Sequence, residues 1–116
     1  MIYRKGMVDV ISDGERTFYV AIEGGLKRCG GQGDVLTGVL GSFVNFESNL
    51  KEYVENDPDR MLLTAACASI VCRRASSIAY REKRISLVTP DILEKLCPAI
   101  LEFYDHPINE SQKYKL

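Results

Sequence analysis

The sequence predicts an α/β chain: a short β-hairpin at a sheet edge, followed by three helices. Three observations lead there. Apolar and β-branched residues flank Asp13-Gly14 on both sides, as in two strands joined by a tight turn. Beyond Gly33 the apolar residues recur at helical instead of strand spacing. Asp57-Pro58 and Thr89-Pro90 then mark two further helix starts, each with a capping side chain before a proline.

The elements follow in order. Residues 1–6 read as the end of a strand, and Val8, Val10 and Ile11 as a short apolar strand closed by Ser12-Asp13-Gly14-Glu15. Thr17 to Ile22 is a second strand, rich in aromatic and β-branched residues. Gly24 to Gly33 holds five of the nine glycines and is a loop. From Gly33 or Asp34 to about Phe46, the residues Val35, Leu36, Val39, Leu40, Phe43 and Val44 form one buried helical face. Gly38, Gly41 and Ser42 lie on another side, where close packing of a backbone or a ligand would explain them.

Asn49 to Asp57 is polar. A helix is expected from Pro58 to about Arg81, capped by Asp57, with Met61 to Cys72 apolar nearly all round and therefore buried on most sides. Arg81, Lys83 and Arg84 suit the negative end of its dipole. Thr89 is expected to cap a last amphipathic stretch, Ile92 to Leu101, kinked or broken near Pro98. The tail from His106 is polar and reads as frayed. Two strands cannot cover this much apolar helix, which suggests a piece of a larger α/β domain.

Composition narrows the function classes. At 116 residues, 46% hydrophobic and 27% charged, the chain is one ordinary domain or less. Fifteen basic and 16 acidic residues give a net charge of −1, so no global field gathers nucleic acid or an anionic membrane. The N-terminus has neither an apolar leader nor an Arg/Ser-rich amphipathic stretch, and the longest apolar run, Ala65 to Cys72, is too short to span a bilayer. Cys29, Cys67, Cys72 and Cys97 form no CxxC pair and read as free thiols of a reducing compartment. A cytoplasmic location is expected, with a mitochondrial one open should a leader precede Met1. The one histidine, His106, argues against a zinc site.

Chemistry concentrates in Gly30-Gly31-Gln32-Gly33-Asp34. Glycines at three of four positions let successive N–H groups turn inward without Cβ obstruction, and at a helix start they make an anion site. Asp34, in the first turn, would stand beside that site and could take a proton from a hydroxyl attacking a phosphoryl group. A P-loop does not fit, because Gly31-Gln32 stand where Lys-Ser/Thr should follow Gly30, and a GxGxxG fingerprint fails because the glycine after Gly33 is Gly38. A plain glycine loop capped by Asp34 remains the alternative reading of the bare string.

Gly30-Gly31-Gln32-Gly33-Asp34-Val35-Leu36-Thr37-Gly38 resembles the GGxGDxLxG motif of NAD(P)H-hydrate dehydratases, in the ribokinase-like superfamily. Lys27-Arg28-Cys29 resembles the eukaryotic form of that motif, and Lys5-Gly6-Met7-Val8-Asp9 is similar to the family's upstream KGxxD segment. Ala65 to Ala75 and Thr89 to Ile92 resemble its closing helices. The resemblance implies the C-terminal part of a ribokinase-like fold, three-layer αβα in the complete family.

It further implies ATP-dependent repair of NADH or NADPH hydrate (NADHX, NADPHX): the ring hydroxyl is phosphorylated, and loss of phosphate restores the double bond. Mg²⁺ would accompany the ATP. Lys5, Gly6, Met7, Val8 and Asp9 would line the ATP site with Gly24, Gly25, Leu26, Lys27, Arg28, Cys29, Gly30, Gly31, Gln32 and Gly33. Lys5 would be the cation for phosphate oxygens, the glycine N–H groups would hold the transferring phosphate, and Asp34 would be the base and touch the hydrate. Cys29 is expected to be a small loop residue rather than a nucleophile, while Lys27 and Arg28 could face phosphate or solvent.

Two rivals stand beside this reading. One is a ribokinase-like kinase acting on another small alcohol, which shares a glycine anion hole ending in Asp. The other is a non-catalytic remnant that binds nucleotide or a partner, with residues 61–72 as a docking face. Self-association as a homo-oligomer stays open.

Overall fold

The fold is built around one helix with a sheet on one side and helices on the other. The computed structural model describes residues 1–49 and 56–105. Strands β1 (Ile2–Arg4), β2 (Asp9–Ser12) and β3 (Thr17–Val20) form an antiparallel sheet in the order β1-β2-β3. Tyr3 pairs with Ile11, and Ile11 with Phe18, which fixes the register. Alternation turns Asp9 and Ile11 of β2 to the buried face together, while Val10 and Ser12 are less buried. The start of the chain, expected as a strand end, is β1 at one edge of this sheet.

Between β2 and β3, the Asp13 carboxylate accepts the N–H groups of Glu15 and Arg16, and Gly14 adopts φ +101°. A left-handed φ is a conformation that glycine reaches without Cβ strain. These two hydrogen bonds are the main reason the Asp13 carboxyl is pulled down to about 2.

Helix α1 (Gln32–Asn49) starts slightly earlier and runs further than its apolar stripe predicts. Helix α2 (Arg60–Lys83) begins two residues later than expected. Asp57 does not cap it. The Asp57 carboxylate accepts the Asp59 N–H at 2.8 Å, closing a turn that precedes the helix. A 3₁₀ turn, Arg84–Ser86, follows, with Arg84 at φ 51°. Helices α3 (Thr89–Glu94) and α4 (Leu96–Asp105) divide the last amphipathic stretch. The break falls at Lys95, not near Pro98. Pro98 lies in the first turn of α4, where a missing N–H forfeits no helical bond.

Helix α2 is the axis of the core. One face, with Leu62, Ala65, Ala66 and Ile70, packs on Ile11 and Val20 of the sheet. The other, with Ala68, Val71, Ala75 and Ala79, packs on Val35, Val39, Leu87, Ile92 and Ala99. Alanines at the contacts let helices and sheet approach closely, and buried Ile11, Leu62 and Leu87 each contribute about 1.5–3 kcal/mol. By length and composition α2 could cross a membrane, which the run Ala65 to Cys72 alone did not suggest; more than half of its apolar window is buried within the fold. All four cysteines are free. The expectations for most of the polar 49–57 segment and for the tail from His106 fall outside the described residues.

Candidate functional site

The glycine-rich loop crosses α2 and delivers the chain to the N-terminus of α1. The Gly25 N–H donates to Ser76 Oγ at 3.2 Å, and a Cβ at Gly25 would stand 2.6 Å from that oxygen and 2.7 Å from the Ser76 carbonyl. No side chain fits there. Gly31 has φ +92°, and a Cβ on it would meet Thr89 Cγ2 at 3.3 Å. The Thr89 hydroxyl donates to the Gly30 carbonyl, so it ties the loop to α3 instead of capping that helix; Val88 is the cap, its N–H held by the Asp91 carboxylate. Gln32 Nε2 donates to the Lys27 carbonyl and to Cys29 Sγ, both at 3.1 Å, which draws the loop closed.

At the mouth of this loop stands the start of α1, whose first N–H groups have no helical partner and whose dipole favours negative charge. Lys5 reaches it from the β1–β2 turn: a Cβ at Gly33 would lie 2.9 Å from Lys5 Nζ. The ammonium, the helix terminus and the exposed Asp34 carboxylate therefore meet at one surface. Donors and positive charge suit an anion, and a carboxylate beside them suits a proton acceptor.

The turn that carries Lys5 is fastened to the core. Asp9 is 5% exposed, and its Oδ2 accepts from Tyr3 Oη at 2.8 Å and Ser69 Oγ at 2.7 Å. Its Oδ1 accepts from the Gly6 N–H at 3.0 Å and lies 3.2 Å from Arg73 Nη1. Burial pushes the Asp9 carboxyl up, but hydrogen bonds from Ser69, Gly6 and Tyr3, with the Arg73 charge, outweigh it and hold the group below its ordinary value. Burial, then the hydrogen bond to Asp9 and its charge, raise the Tyr3 phenol against the opposing Ser69 bond. Burial pushes the Cys72 thiol up to about 11, with the Asp9 charge adding to it.

An open groove of about 650 Å³ runs from this surface along α1. Gly31, Asp34, Gly38, Ser42 and Phe46 line it from the loop and α1, Thr89 and Leu93 from α3, and Ile100 from α4. Gly38, whose presence in a helix called for a reason, faces the groove with nothing within 4 Å of a Cβ; Gly41 likewise has no close neighbour. Close backbone packing is not what these glycines serve.

The two motifs thus come together through Lys5 and Gly33. Not every expected lining residue faces the meeting point. Asp9 points into the core, Lys27 Nζ is taken by the Ile85 carbonyl, and Met7 is 91% exposed. Leu26 and Arg28 are exposed, and Gly24 lies along the backbone of Arg73. Cys29 is half-buried and accepts hydrogen bonds from Gln32 and Thr89. The sequence reading missed Tyr3, Ser69, Arg73, Ser76 and Thr89. Apart from Tyr3, six residues from Asp9, their partners lie more than 50 residues away along the chain, so no local pattern marks them.

Comparison with known proteins bears on this geometry. The NAD(P)H-hydrate dehydratase family matches residues 1–98, nearly all of the described chain and both segments at the α1 terminus. The chain belongs to the NAD(P)H-hydrate dehydratase family. The ribokinase-like fold of that family is the one to which the sheet edge and helices belong. An Arabidopsis thaliana protein named ATP-dependent (S)-NAD(P)H-hydrate dehydratase is 39% identical over 106 residues, covering 84% of this chain and 29% of its own length. Proteins of the same name from Mycosarcoma maydis and Entamoeba histolytica are 34% and 35% identical, over 89% and 87% of this chain and 33% and 32% of theirs. The chain spans about a third of the length of the curated dehydratases it matches.

Proposed function

We propose that this chain supplies the phosphate cradle and the base of an ATP-dependent (S)-NAD(P)H-hydrate dehydratase, acting on NADHX or NADPHX. The observation that carries the reading is Lys5 Nζ beside Gly33 at the α1 terminus, with Asp34 in the same first turn. Lys5 and the N–H groups of Gly31 to Gly33 hold the transferring phosphoryl oxygens, stabilising charge that spreads over them in the transition state. Asp34 opens onto the apolar groove, which suits the ring that bears the hydroxyl. Its carboxylate takes the hydroxyl proton as that oxygen bonds to the γ-phosphorus and ADP departs. Phosphate then leaves the ring with the electrons of its C–O bond, the adjacent ring carbon loses a proton to solvent, and the double bond returns as NADH or NADPH.

No group of three His, Cys, Asp or Glu side chains that could hold a metal ion occurs among the described residues. Mg²⁺ fits this site as part of the substrate, carried in on the ATP phosphates. Lys27 is held by the Ile85 carbonyl and Lys5 is the cation that stands at Gly33, so phosphate binding is assigned to Lys5. In this reading the protein works where its reduced cofactors are damaged, in the cytoplasm or the mitochondrion.

The assay mixes the protein with ATP, Mg²⁺ and the hydrate, and follows absorbance at the reduced nicotinamide band. ATP-dependent recovery of that band is expected. ADP formation with a stable phosphorylated product would instead identify a kinase, and ATP binding without turnover a nucleotide-binding remnant.

A further inference from the structure

We propose that Arg73 is the positioning residue of this site, holding the Lys5 turn and the glycine loop in one frame from helix α2. The proposal rests on the reading of Lys5 and the α1 terminus as a phosphate site. Its guanidinium makes four contacts. Nε donates to the Ile22 carbonyl at 2.5 Å, Nη1 to the Gly6 carbonyl at 3.1 Å, and Nη2 to the Met7 carbonyl, while Nη1 also faces Asp9 Oδ1 at 3.2 Å. Ile22 leads into the glycine loop; Gly6 and Met7 follow Lys5 directly. The Arg73 main chain is also the floor under Gly24, 3.8 Å from a Cβ placed there.

Each carbonyl bonded to the guanidinium is fixed in direction. The Gly6–Met7 and Met7–Val8 peptide bonds are trans, so the N–H groups of Met7 and Val8 turn to the side away from Arg73. Lys5 is exposed and extends to Gly33, so its reach depends on where the turn sits. A planar fork with five donors can tie two adjacent carbonyls, a third from another segment and a carboxylate at once; a lysine offers one compact charge and cannot. The neighbouring Arg74 shows the contrast, since it pairs with Glu102 on α4 and touches neither segment.

The test compares Arg73→Gln and Arg73→Lys with Arg74→Gln, reading amide hydrogen exchange and ATP binding by titration calorimetry. Arg73→Gln is expected to speed exchange of the Gly6 amide, which is bonded to Asp9, by tenfold or more, roughly the loss of one charge-assisted hydrogen bond, with protection in the middle of α2 unchanged. ATP should bind about tenfold more weakly, and no further weakening should follow in a Lys5→Ala background. Arg73→Lys should restore only part, and it carries the exchange test should Arg73→Gln fail to fold. Unchanged exchange in the turn overturns the proposal, as does equal loosening throughout α2 or an undiminished effect without Lys5. If the native chain binds no ATP, the phosphate reading falls, while exchange in the turn still decides the role of Arg73.

Discussion

The two segments that meet at the start of α1 are held in opposite ways. The Lys5–Asp9 turn is held by charge and hydrogen bonds driven into the core: a buried carboxylate, a tyrosine, a serine and an arginine. The Gly24–Gly33 loop is held largely by what it lacks, since Gly25 and Gly31 sit where a Cβ would strike Ser76 or Thr89. The difference matches what each segment presents. A flexible lysine needs a rigid base if its ammonium is to be preorganised, whereas backbone N–H groups need only room for the main chain to turn inward.

The largest effect should come from cutting the charged knot. Asp9→Ala leaves Arg73, Ser69 and Tyr3 facing an emptied buried site and should cost about 3–5 kcal/mol in urea unfolding. A loss no greater than that of a surface substitution would mean the turn is fastened elsewhere. On the glycine side, Gly25→Ala should cost about 1–3 kcal/mol through overpacking against Ser76. Gly30→Ala, with nothing within 4 Å, should stay within about 0.5 kcal/mol. Equal costs at the two glycines would remove the steric account of the loop.

Acid sharpens the same contrast. The folded Asp9 carboxyl titrates below its unfolded value, so its contribution is present above the ordinary carboxylate range and disappears as pH falls through the folded value. Asp9→Asn should therefore flatten the acid limb of the stability curve, while substitutions in the glycine loop shift the whole curve without changing its shape. The Cys72 thiol reports on the same carboxylate. Burial first and the Asp9 charge second together hold it at about 11, so Asp9→Asn should bring the pH midpoint of its alkylation down part of the way only. Within α1 the sign reverses: Gly41, with no neighbour within 4 Å of a Cβ, should on replacement by alanine stabilise by about 0.5–1 kcal/mol.

The sequence displayed one half of this contrast well and the other poorly. Glycine runs and helical stripes are local signals, so the Gly24–Gly33 loop, the α1 face and the strand pairs were legible from spacing. Lys5 and Asp9 became visible through their resemblance to a motif, but not the direction in which Asp9 points. Arg73 and Ser69 lie 64 and 60 residues from Asp9 along the chain and act on it only after α2 folds against the sheet. Thr89 carried the pattern of a helix cap, yet its hydroxyl is drawn away by the Gly30 carbonyl, a contact with no local sign. Pro98 looked like a break because a proline interrupts a stripe, and the chain accommodates it by beginning a new helix two residues before.

The central claim is that Asp34 acts as a base beside an anion cradle, and one comparison reaches it directly. ATP affinity and ATP-dependent recovery of the reduced nicotinamide absorbance are measured for the native protein and for Asp34→Asn. ATP affinity should be kept or improved, because a negative charge leaves the neighbourhood of the phosphates, while turnover falls by about 10²–10⁴. Unchanged turnover in Asp34→Asn would contradict the assignment.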